Sequence, residues 1–209
     1  MTSVLRLEHV SKNFGALTVV DGLSFELAAG EALGIIGPNG AGKTTLFNLI
    51  SGDLIPTSGK IAFCDNDITT MPAYARCRLG IGRTYQIPHP FGGMSVFENL
   101  LVAASFAGGA AERDGYAMCV DILKRTELVG KANQQAGRLT LLERKRLELA
   151  RALAVKPKLL LLDEIAGGLT EGECTTLVAT IKELRHDGIS IIWIEHLVHA
   201  LLAAIDGCW

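Results

Sequence analysis

Apolar and polar positions alternate from Val4 to Val10, and again from Thr18 to Leu27 with an interruption at Asp21-Gly22. Period two predicts two half-buried strands. The run Glu31 to Ile36 is short and apolar, with no helical stripe. It predicts a fully buried strand feeding the glycine-rich segment that follows. Residues 43–51 predict a helix stopped by Gly52, and Ile61 to Cys64 predict another short strand. From about Ser95 to Val155 the pattern turns helical, with helices at Tyr116 to Glu127 and Glu143 to Val155 and Pro157 closing the second. Leu159 to Leu162 and Ile189 to Ile194 predict two more buried strands. Between them, Thr170 to His186 carries Leu177, Ile181 and Leu184 on one face, a Thr170/Glu173 capping-box pattern and Gly188 as its stop. Val198 to Ile205 predicts a last helix. Strands alternating with helices on both sides of a helical stretch imply an α/β fold, a mostly parallel sheet with a helical lobe.

Composition narrows this picture. The chain has 209 residues, enough for one domain with an inserted lobe and for a core that needs no disulfide staples. Twenty Lys and Arg against 22 Asp and Glu leave a net charge of −2, which argues against a dedicated nucleic-acid binder. Mean hydropathy is +0.31. Yet the uncharged stretch Asn99 to Ala111 holds two adjacent glycines and is too short to span a bilayer, which takes about 20 residues. The first ten residues alternate and carry charges, so no signal peptide is expected. Five cysteines at 64, 77, 119, 174 and 208 form no CxxC pair and read as reduced thiols of a cytoplasmic protein.

The chemistry concentrates in two segments. Gly37-Pro38-Asn39-Gly40-Ala41-Gly42-Lys43-Thr44 matches G-x-x-x-x-G-K-[ST] at every required position, between an expected strand and an expected helix. Glycines let backbone N–H groups curl around a phosphate, and the helix points its positive end at it. Lys43 is expected to reach the β- and γ-phosphates, and the Thr44 hydroxyl to ligate Mg²⁺. Asp163-Glu164 follow the buried strand Leu159 to Leu162. Asp163 suits Mg²⁺, and Glu164 suits orienting or deprotonating an attacking water.

The order of these motifs resembles the ATP-binding subunit of ATP-binding cassette (ABC) transporters over about Val4 to Asp206. The resemblance implies a P-loop NTPase (RecA-like) fold with an N-terminal antiparallel β lobe, a helical lobe over about 92–155 and a single domain spanning 1–209. It implies roles position by position. Phe14, in Ser11-Lys12-Asn13-Phe14-Gly15, matches the aromatic on which adenine stacks. Gln86, in Arg83-Thr84-Tyr85-Gln86, matches the glutamine that senses Mg²⁺ and couples to the membrane partner. His196, after Glu195, matches the switch histidine of the γ-phosphate. Thr45 joins the phosphate-binding loop. The signature departs: where the family has Leu-Ser-Gly-Gly-Gln, this chain has Leu139-Thr140-Leu141-Leu142-Glu143. Thr140 keeps a hydroxyl for the opposite protomer's ATP, while two leucines add bulk where backbone approaches phosphate. Ile165 to Thr170 also departs, lacking the family's proline. With Arg83-Thr84-Tyr85-Gln86 and Phe91 to Leu101, these variants look most like the branched-chain amino acid transport subfamily.

The function so implied is ATP hydrolysis in a dimer of cassettes, powering a separate membrane permease docked near Gln86 to Glu98. A solute-binding protein enters indirectly and nucleic acid is no partner. The place implied is the cytoplasmic face of the inner membrane. The resemblance also implies that the family's last strands are missing, leaving a sheet edge uncovered. Two alternatives stay open: a hydrolytically weak cassette, which the altered signature favours, and a soluble non-transport ABC ATPase, for which no basic arm or second cassette is present. A GTPase is disfavoured by the absence of [NT]-K-x-D.

Overall fold

The computed structural model describes residues 3–108, 112–196, 201 and 207–208. In chain order come β1 (Ser3–Phe14), β2 (Leu17–Ala28), β3 (Ala32–Ile35), α1 (Lys43–Ser51), β4 (Ser58–Phe63), β5 (Asn66–Asp67), α2 (Ala73–Leu79) and β6 (Ile81–Arg83). Then follow α3 (Val96–Gly108), α4 (Glu112–Arg125), α5 (Leu141–Ala154), β7 (Leu159–Asp163), α6 (Glu171–His186), β8 (Ser190–Ile194) and β9 (Gly207–Cys208). They build two sheets. One is antiparallel, in the order β2-β1-β4-β5; the other is parallel, in the order β6-β7-β8-β3-β9.

Alternation along the parallel strands decides what covers each face, because successive side chains point to opposite sides. Leu160, Leu162, Ile191 and Trp193 join a core with α5, α6 and the helices of the lobe. Leu159, Leu161, Ile192 and Ile194 join a second core with α1 and the antiparallel sheet, including Phe47, Leu5 and Phe63. The continuous apolar runs are thus strands buried on both faces, as a parallel sheet requires.

Several expected boundaries move for local reasons. The break at Asp21-Gly22 is not a strand end: β2 runs through it, and the slack appears as shifts of register against β1. There Gly22 and His9 take φ +55° and +48°. Their N–H groups donate to the Ser11 and Ser24 hydroxyls instead of the ladder. β4 stops at Phe63, because Cys64 and Asp65 both turn left-handed to make a two-residue hairpin into β5. α5 starts at Leu141, not Glu143: Thr140 caps it, its hydroxyl accepting from the Glu143 N–H while Glu143 accepts from the Thr140 N–H. The same box forms at Thr170/Glu173, as expected. β5, α2 and β6 are too short to leave a period in the sequence. The expected helix Val198 to Ile205 lies outside the described residues except for Leu201. Gly207–Cys208 lies along β3 at the sheet edge, pairing with Leu33 and Gly34.

Candidate functional site

Register sets the site. Ile35, Ile194 and Asp163 lie level across β3, β8 and β7, and Arg83 of β6 pairs with Leu161. The loops that follow these strands therefore emerge together at the carboxyl edge of the sheet, where open α/β sheets bind ligands. They carry Gly37–Gly42, Gln86, Glu164 and His196.

The phosphate loop is built for an anion. Gly40 and Gly42 hold φ +83° and +85°. A Cβ on Gly42 would sit 2.8 Å from the Val19 carbonyl oxygen, so only glycine fits there. α1 has no side-chain cap and no acidic residue in its first turn, unlike α5 and α6, which cap themselves with glutamates. Its positive end is left for a ligand. The Lys43 ammonium lies over this loop, donating to the Gly37 and Pro38 carbonyls at 2.6 and 3.0 Å. The Ala41 N–H donates to Pro38. Asn39, Gly40, Gly42, Lys43, Thr44, Thr45, Gln86 and Glu164 line one cavity of about 380 Å³. A neighbouring cavity behind the loop is lined by Val19, Ala41 and Leu46 among others.

Asp163 ends β7 in the interior, 4% exposed. Its N–H donates to the Thr84 hydroxyl at 3.1 Å, and its carboxylate faces the Arg83 guanidinium at 3.6 Å. Burial pushes this carboxyl above its ordinary 3.8; Arg83 opposes that shift, Glu164 adds to it and Lys43 opposes it again. Glu164 adopts a left-handed backbone, φ +47°, uncommon for a residue with a side chain. Its carboxylate spans two partners: Oε2 accepts from the Gln86 amide and Oε1 meets His196 Nε2 at 2.8 Å.

Thr44, Gln86 and Asp163 offer a hydroxyl, an amide oxygen and a carboxylate, all hard oxygen donors of the kind Mg²⁺ takes beside substrate phosphates. The 3.6 Å gap to Arg83 leaves the buried Asp163 carboxylate with acceptor capacity, so these residues fit the ion. Among the described residues, no cluster of three or more His, Cys, Asp or Glu could hold a metal unaided.

Gly37, Pro38, Ala41, Asp163 and His196 do not line this cavity themselves but adjoin or bond residues that do, whereas Phe14 and Thr140 do neither. Phe14 closes β1 at the tip of the hairpin, 48% exposed, with the Lys12 ammonium 5.3 Å from its ring centre. It is no core residue. Thr140 caps α5 on the helical lobe and is not among the residues lining the cavity. Beside it, Leu141 is half exposed, and a Cβ on Gly168 would lie 3.3 Å from its Cδ2. Sequence reasoning missed Arg83 and Thr84 as supports of Asp163. Their only signal was adjacency to Gln86, since the partner lies some 80 residues away.

No described helix is long and apolar enough to cross a membrane. Compared with known proteins, residues 20–167 match the family described as ABC transporter. The chain is 35% identical to the high-affinity branched-chain amino acid transport ATP-binding protein LivG of Salmonella typhimurium, over 97% of this chain and 86% of that protein. Its fold superposes on the ADP conformation of an ATP-binding cassette of an ABC transporter with a TM-score of 0.88, at 32% identity, covering 99% and 86% of the two chains. It also superposes on cbiO1 from Clostridium perfringens, part of the ABC transporter complex cbiONQ. There the TM-score is 0.87 at 27% identity, covering 98% and 83%. A phosphate loop, an Asp-Glu strand end and a Gln-Glu-His cluster on one P-loop sheet edge, in a chain so matched, lead to one assignment: this chain belongs to the ABC transporter family, as an ATP-binding, ATP-hydrolysing cassette.

Proposed function

We propose that this chain is the motor of an ABC importer for branched-chain amino acids or related small solutes. In this reading residues 1–209 act as one ATPase domain with its helical lobe over about 92–155. It pairs with a second cassette, the same chain or a different one, enclosing ATP between the phosphate loop of one and Thr140 of the other. ATP-driven closure moves a separate membrane permease from the cytoplasmic face, and an external solute-binding protein delivers the cargo. The name of LivG supports the solute class, and the assembly of cbiO1 within a transporter complex supports the permease.

The chain's own residues suggest how the site works. Lys43 and the amides of Gly40 to Thr44 neutralise and orient the β- and γ-phosphates, while Phe14 offers its exposed ring to adenine. Thr44, Gln86 and Asp163 would hold Mg²⁺, which supplies Lewis-acid neutralisation of phosphate charge. Glu164 orients a water for in-line attack at the γ-phosphorus and accepts its proton, with His196 holding the carboxylate and offsetting charge. A third cavity, of about 330 Å³, opens between α1, α2, α3 and α5; Tyr74, Arg83, Tyr85, Phe91, Phe106 and Arg151 are among its lining. Its half-exposed aromatics suit the permease contact expected near Gln86 to Glu98.

The observation that carries the reading is the Glu164 carboxylate, held between Gln86 and His196 beside the phosphate loop. Replacing it tests the reading. E164Q should abolish phosphate release while leaving ATP binding intact, and unchanged turnover would overturn it. A second reading, a hydrolytically weak cassette, draws on one observation: the α5 N-terminus is already capped by Thr140 and Glu143, with Leu141 bulky and half exposed beside them. ATP-dependent dimerisation of E164Q separates the two. A stable ATP-bound dimer supports the motor, and a monomer at saturating ATP supports the weak cassette.

A further inference from the structure

Two opposite charges are buried behind the Glu164–His196 pair and serve no role yet described. Lys145, on α5 and 5% exposed, donates to the Glu164 carbonyl at 3.1 Å. Glu195, 1% exposed, accepts from the Ala166 N–H at 2.7 Å and from the His196 N–H at 3.0 Å. Burial pushes the Lys145 ammonium below its ordinary 10.5, and the Glu195 and Glu164 carboxylates oppose that shift without cancelling it. Charges this deep are costly to bury and need a compensating geometry.

That geometry is the backbone of the reacting pair. Glu164 sits at φ +47°, a conformation that persists only where its surroundings over-determine it. Its N–H donates to the Ile194 carbonyl, and its own carbonyl receives both Lys145 and the Gly167 N–H. One carboxylate of Glu195 clasps the turn after β7 to the end of β8, so Glu164 and His196 approach from two loops and meet at 2.8 Å. Lys145 adds the third anchor, and it stands little more than one turn along α5 from Thr140.

We infer that Lys145 and Glu195 are positioning residues for hydrolysis: together they hold the Glu164 backbone and the His196 loop in register. The inference rests on the reading of Glu164 given above. Neither side chain touches the cavity that holds nucleotide, so their loss acts on the rate of the chemical step and not on binding.

The test is steady-state ATP hydrolysis by the full chain, with nucleotide affinity measured separately by a fluorescent ATP analogue. K145M should lower kcat at least tenfold with KM and analogue affinity unchanged within about twofold. K145R, which keeps a charged donor for the Glu164 carbonyl, should recover most of the rate. E195Q, whose amide oxygen can serve only one of the two N–H groups, should fall between them with the fold intact by circular dichroism. If K145M and E195Q turn over like the unmodified chain, or if their loss appears in KM alone, the inference fails. It fails equally if K145R is as slow as K145M. E164Q run alongside separates the two levels. A dead E164Q with a fully active K145M overturns only the positioning role, whereas an active E164Q overturns the catalytic reading beneath it.

Discussion

His196 Nε2 meets Glu164 Oε1 at 2.8 Å, joining the ends of β7 and β8 across 32 positions of sequence. The contact is partly exposed, Glu164 less so than His196, and the other carboxylate oxygen is taken by Gln86. A carboxylate pinned on both oxygens has a set direction. That is the requirement for a group that must align a water before it takes a proton.

Loss of His196 should therefore cost rate more than affinity. H196A is expected to lower kcat about 100-fold, with ATP affinity nearly unchanged. His196 is exposed, so the thermal midpoint should barely move. Phosphate release at saturating ATP checks the first part and a melting curve the second.

Phe14 should act on affinity instead. Its ring is exposed and backed by Lys12, and stacking a base on an aromatic contributes about 1–3 kcal/mol. F14A should weaken ATP binding about tenfold, and F14W should restore it. Titration with a fluorescent nucleotide distinguishes them; equal affinity in F14A and the unmodified chain would remove Phe14 from the site.

Arg76 tests the scaffold under the phosphate loop. Its guanidinium has no exposed surface and donates to four carbonyls, of Leu49, Ile50, Thr69 and Met71, locking α2 to the last turn of α1. Burial lowers its pKa to about 10, so it stays charged at neutral pH. R76M leaves those carbonyls without their donor and should destabilise by about 3 kcal/mol, a fall in Tm of roughly 6–12 °C. R76K should recover little of it, because an ammonium cannot reproduce the planar fork.

Acid should loosen α5 through Glu143. The Thr140 N–H, with Lys131 at 3.3 Å, holds this carboxyl below its ordinary 4.5. A lowered folded pKa means the cap's stabilisation is complete above 4.5 and is lost as pH falls through the lower folded value. Tm measured between about pH 6 and pH 3 should drop more steeply for the unmodified chain than for E143Q. Asp163 and Glu148 slope the other way, since burial raises both, so the comparison between the two proteins isolates Glu143.

Much of this could be read along the chain. The phosphate loop announces itself because glycine spacing, Lys43 and Thr44 are contiguous, and the helix after it has a local stop at Gly52. β7 and β8 are legible because strands buried on both faces read as continuous apolar runs, with the polar residues Asp163 and Ser190 only at their ends. β6 is not legible, since three residues carry no period. Thr140 was legible as a hydroxyl but not as a helix cap, because the leucines behind it disguised where α5 begins.

The sequence by itself determined the chemistry available: an anion-binding loop, two carboxylates after a buried strand, a glutamine and a histidine. Those signals are local, set by side-chain type and by periods of two or 3.6 residues. Tertiary structure alone decided which of them meet. Gln86 reaches Glu164 over 78 positions, Arg83 faces Asp163 over 80, and Lys145 comes up beneath Glu164 from another lobe. The first two pairings depend on β6 lying beside β7, and the meeting of Glu164 with His196 depends on β7 lying beside β8 in the register that sets Asp163 level with Ile194. Backbone hydrogen bonds between distant strands fix that register, and no local pattern in the chain encodes it.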